Sequence, residues 1–127
     1  MSAQDNLSQE LFFNVHRGVS TGPKHKVKKS LGMHWSADEG IADMFSSRVS
    51  ANKPYGVIIH AQVPVSSVET DTAVLKKAQV YGAQDDERDE KEVPVKKGSS
   101  VFVTGMTKRS PDRYRTRTYN PPREKKA

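Results

Sequence analysis

Three places in the chain carry residues whose types and spacing can do chemistry. The first is His16-Arg17-Gly18. Arginine offers a planar fork suited to phosphate or ribose oxygens. The glycine beside it permits close approach of a backbone or a ligand. The second is His34-Trp35-Ser36, inside the stretch LGMHWSADEGIADMF from Leu31 to Phe45. It sets an imidazole, an indole and a hydroxyl at a strand-to-helix corner, where free backbone N–H groups attract anionic groups. The third is the pair Glu90 and Glu92, two residues apart. In extended geometry both carboxylates point to the same side. The corner at Ser36 reads as one wall of a nucleotide pocket that the rest of the chain must complete.

The elements that would position these residues follow from pattern. Leu11 to Ser20 reads as a first strand, with Leu11, Phe13, Val15 and Arg17 on one face and Phe12, His16 and Gly18 on the other. Residues 21–30 form a loop with four lysines. After a short strand, Ser36 and Glu39 have the spacing of a capping box. Ile41, Ala42, Met44, Phe45 and Val49 then recur at helical spacing, so the helix is expected to run to about Val49. GVIIHAQV from Gly56 to Val63 is the clearest strand, rich in β-branched residues and ended by Pro64. Its His60 reads as a polar residue on a sheet surface or one with a satisfied partner, with no metal-binding companions evident. Asp71 to Ala78 predicts a short helix, and Gln79 to Gly82 a further short strand. An acidic loop over residues 84–92 feeds Val93-Pro94-Val95. A Lys-Lys-Gly turn and a strand from Val101 follow. The expected class is α+β, with strands outnumbering helices.

Composition narrows the possibilities. A chain of 127 residues with 34% hydrophobic residues supports one modest core. No stretch approaches the length of a membrane span, and the first residues lack the pattern of a signal peptide. With no cysteine, disulfides and thiolate metal sites are excluded. A cytoplasmic location is the simplest expectation. The net charge is +6, and residues 108–127 carry all of it, with eight Lys/Arg against two Asp/Glu. The rest is balanced, which argues against a general nucleic-acid-binding surface outside that tail. In the tail Arg113, Arg115 and Arg117 alternate with Tyr114, Thr116 and Thr118. That pattern suits an edge strand, while Pro111, Pro121 and Pro122 suit disorder equally. The expected organisation is a flexible N-terminus over 1–10, a domain over 11–107 and a basic C-terminal tail over 108–127.

Arg17-Gly18 on a first strand, Ser36 at a corner before Ala42-x-x-Phe45, and Glu90-Lys91-Glu92 opening a late strand stand in a fixed order. That order resembles the Arg–Ser–Glu class of mono-ADP-ribosyltransferases, most of all small phage-type members, from about Leu11 to Thr104. The resemblance implies a split pair of small β-sheets with one main helix, clasping NAD. It implies that Arg17 contacts phosphates or the nicotinamide ribose, with Gly18, His16 and Trp35 among the cofactor-binding residues. It also implies that Ser36 holds the ribose and supports the catalytic Glu92, while Glu90 engages an acceptor guanidinium. A fixed carboxylate suits a cationic sugar transition state, and a carboxylate suits a guanidinium acceptor. Trp35 suits stacking on nicotinamide or adenine, or a place in the core. The sequence departs from the family where Trp35-Ser36-Ala37 stands for the usual Ser-Thr-Ser, which leaves one hydroxyl. Ser36 also has a sufficient job as a helix cap.

The implied function is an NAD-dependent transferase acting on an acceptor protein. For a phage-encoded chain that acceptor would be a host protein in the host cytoplasm, with arginine as the modified residue. The alternative is a catalytically silent module of the same fold that docks a protein partner or virion component, with the basic tail contributing. Nucleic acid enters only through the tail, and no membrane partner is expected.

Overall fold

The computed structural model describes residues 11–27, 31–47, 53–77, 92–111 and 115–127. The expected helix end at Val49, the strand at Gln79 to Gly82, most of the acidic loop and Glu90 lie outside them.

The chain runs through β1 (Phe12–Thr21), β2 (His34–Ser36), α1 (Glu39–Ser46), β3 (Tyr55–Pro64), α2 (Thr72–Lys77), β4 (Glu92–Pro94), β5 (Ser100–Arg109) and β6 (Arg115–Lys126). The six described strands join one sheet in the order β4-β2-β1-β3-β5-β6, and every pairing is antiparallel. One sheet with short helices therefore stands where the resemblance implies a split pair. It is nonetheless thin at one place. β1 and β2 share a single residue pair, His16 opposite Ser36, whereas β1 and β3 pair along their full length.

Strand alternation sorts the residues of β1 and β3 onto two faces. Val15, Arg17, Val57, Ile59 and Val63 share one face. That face gathers the main core with Leu31, Trp35, Val95 and Val101. His16, Gly18, Ile58 and His60 share the other, beneath α1. The helix lies close because β1 and β3 present glycine to it. A Cβ on Gly18 would meet the Ala42 carbonyl oxygen at 1.7 Å, and one on Gly56 would meet that of Ser46 at 2.3 Å. Arg109 of β5 holds the same helix through Asp43 at 2.8 Å.

The start of α1 differs from the capping-box expectation. Asp38 is the N-cap and accepts from the N–H groups of Gly40 and Ile41. Ser36 stays in β2, and its Oγ accepts from the Asp38 N–H at 3.0 Å. Both residue types cap helices, and the turn through Ala37 hands the role to the later one.

The basic tail is strand, not disorder, from Arg115 onward. Pro121 and Pro122 fall where the β5–β6 register shifts, between Val103 opposite Arg123 and Gly105 opposite Tyr119. There the missing prolyl N–H groups cost no ladder bond. The last residue, Ala127, is buried and donates to the Ser99 carbonyl at 2.8 Å. No described helix is long and apolar enough to cross a membrane.

Candidate functional site

The functional geometry begins where β1 and β2 part. Past the pair His16–Ser36 the two strands no longer bond, which leaves the His34 carbonyl without a ladder partner on β1. Arg17 fills that role, its Nη1 donating to the His34 oxygen at 2.7 Å. The guanidinium packs against Gly32, which sits at φ +83°. A Cβ there would stand 3.3 Å from the guanidinium carbon. Burial pulls the Arg17 pKa down and the nearby Glu92 carboxylate opposes that shift. The group stays charged, as arginine does.

Glu92 opens β4, directly opposite Ser36 on β2. Its side chain is only 8% exposed, and Oε1 accepts from His34 Nδ1 at 3.0 Å. A carboxylate this enclosed needs such a partner, because burial without one is costly. His34 and Ser36 lie two residues apart on one strand, so they share a face. The carboxylate is thus supported by His34, whereas the resemblance assigns that support to Ser36. Strand alternation on β2 was the signal that could have found it.

The sequence-derived candidates separate as follows. Arg17, Ser36 and Glu92 come to adjacent strands β1, β2 and β4. By register Ser36 and Glu92 share the His16 side, while Arg17, on the opposite face, bonds the His34 carbonyl and feels Glu92 through its charge. Trp35 is buried in the core, with Nε1 donating to the Gly32 carbonyl at 2.9 Å. That placement fits the core role and leaves the ring no open face for stacking. Gly18 makes its close approach to the α1 backbone. His16 turns away from the seam toward His60.

A cavity of about 400 Å³ opens on the other side of Arg17, lined also by Thr21, Lys26, Phe45 and Lys53. Three cationic residues around one hollow suit an anionic guest. Thr21 is buried, and its Oγ1 is the one buried side-chain polar atom without a partner among the described residues. Ser36 and Glu92 do not line this cavity. Lys26, Lys53 and Thr21 were not singled out by sequence, because the chain separation between 26 and 53 hides their meeting.

A second cluster lies under α1. The Nδ1 atoms of His16 and His60 are 2.8 Å apart, so one proton lies between them. His60 Nε2 meets Thr107 Oγ1 at 2.7 Å. Burial, and after it the neighbouring His16, push the His60 pKa down to about 4. Burial also lowers that of His16, against the opposing pull of Glu39. Glu39 Oε1 stands 3.4 Å from His60 Nδ1 and accepts from Arg117 Nη2 at 2.8 Å.

Compared with known proteins, the chain matches no family model, no curated protein and no solved structure.

Proposed function

We propose that the chain is an NAD-dependent mono-ADP-ribosyltransferase acting on an acceptor protein, with arginine as the modified residue. The observation that carries this reading is the enclosed Glu92 carboxylate, held by His34 and within the field of Arg17.

In this reading Arg17, with Lys26 and Lys53, holds the phosphates of NAD, and the partnerless Thr21 hydroxyl is available beside them. Glu92 accepts from the ribose 2′-OH and stabilises positive charge on the sugar. The bond between C1′ and the nicotinamide nitrogen breaks, and nicotinamide leaves with the electron pair. An acceptor guanidinium nitrogen bonds to C1′ and gives up one proton. His34 keeps the carboxylate fixed and oriented.

Glu92→Gln keeps the shape of the side chain and removes its charge. NAD turnover is expected to fall about 10²–10³-fold, with the circular dichroism spectrum unchanged. If the purified chain neither hydrolyses NAD nor labels any lysate protein, the reading fails. The silent docking module predicts partner binding that survives Glu92→Gln. Removing residues 108–127 is not a clean test of that alternative, because it strips β6 and part of the core. Charge reversal at exposed Arg123 and Lys125 tests the basic strand without dismantling the sheet.

A further inference from the structure

The His16–Glu39–His60 cluster takes no part in the proposed transfer, and its donor set belongs to a different chemistry. We infer that these three side chains form a binding site for a divalent first-row transition ion, with zinc as its natural probe. The inference rests on this cluster alone and stands or falls apart from NAD.

The geometry is built by the rigid centre of the fold. His16 and His60 are register partners on β1 and β3, in the longest pairing that β1 makes. Glu39 is carried to them by the first turn of α1, which the glycine contacts press onto the sheet. Ligand atoms from the three residues all lie within 4.8 Å of one another. Donors around a tetrahedral zinc, at bond lengths of about 2.0–2.2 Å, sit about 3.3 Å apart. The His60–Glu39 distance of 3.4 Å already matches. The His16–His60 distance of 2.8 Å must open by about half an ångström. Two imidazoles and one carboxylate favour zinc and its neighbours over magnesium or calcium.

The surroundings supply the supporting shell. In the bound form His60 donates from Nε2 to Thr107, the outer contact that orients a metal-ligating imidazole. Thr107 is itself held by Arg117 Nε at 3.2 Å. His60 is buried while His16 and Glu39 are half-buried, so the remaining coordination positions face outward. Arg117 opposes the ion by its charge and by its hold on Glu39 Oε1. The ion must use the other carboxylate oxygen or displace the arginine.

Isothermal titration of the full chain with ZnCl2, after chelator treatment, is expected to show one ion per chain. Co2+ is expected to develop the visible bands of a nitrogen–oxygen site. His16→Ala and Glu39→Gln should each weaken binding by at least about tenfold, and Arg117→Ala should strengthen it severalfold. His16 and Glu39 are the test positions because neither is fully buried. A folded chain that gives neither zinc heat nor cobalt bands overturns the inference. So does stoichiometric binding that His16→Ala leaves unchanged, since the ion would then sit elsewhere.

Discussion

His16 and Arg17 are neighbours in the chain and occupy opposite sides of β1. On the Arg17 side a permanent charge is enclosed, and fixed acceptors answer it: the His34 carbonyl directly and Glu92 through its field. On the His16 side the enclosed groups are imidazoles, and burial answers by keeping them neutral. Arginine cannot shed its proton, so the fold must bring oxygen to it. Histidine can, so the fold needs only a hydrogen-bonding neighbour. Arg17 reaches across to β2, which shares one residue pair with β1, and His16 meets His60 along the β1–β3 ladder, the longest pairing that β1 makes.

The sharpest way to break this contrast is to disturb the packed side. Gly18→Ala drives a Cβ into the α1 backbone and should cost about 3 kcal/mol in urea unfolding. Next comes acid. His60 is held neutral down to about pH 4, whereas in the unfolded chain it titrates near 6.5. The unfolded state therefore binds more protons between those values, so stability should fall as pH drops from 6.5 toward 4 and stay level just above that window. Denaturant midpoints measured in chelator-containing buffer check it, and His60→Gln should flatten the slope. On the seam side Gly32→Ala forces a side chain into a left-handed backbone and against Arg17. About 1–2 kcal/mol is expected, with a loss of NAD turnover that exceeds the loss of stability if Arg17 serves the cofactor. The smallest effect decides the cap: Asp38→Ala should cost about 1 kcal/mol, and Ser36→Ala less.

Legibility in the sequence followed the same divide. β1 and β3 were visible because alternation and β-branched residues leave a local mark. The corner between β2 and α1 was visible too, but Ser36 and Asp38 are equally good caps, and only the course of the chain chooses between them. β6 was ambiguous because its two prolines argue against a strand until the register shift that shelters them is known. At the site, Arg17 and Glu92 stood out by type and order. The support of Glu92 by His34 needed the β2–β4 register. The companions of His60 lie 44 residues away at His16 and 21 away at Glu39. No spacing rule links them, since their meeting depends on the full β1–β3 ladder and on where α1 lands.

The lone His16–Ser36 pair also bears on how the molecule comes apart. Few backbone bonds tie β2 and β4 to the other four strands, so the two groups need not lose their order together. Amide hydrogens of β2 and β4 should exchange with solvent through a partial opening, while those of β1, β3 and β5 wait for global unfolding. Such an opening would bare Glu92 and leave the imidazole pair intact.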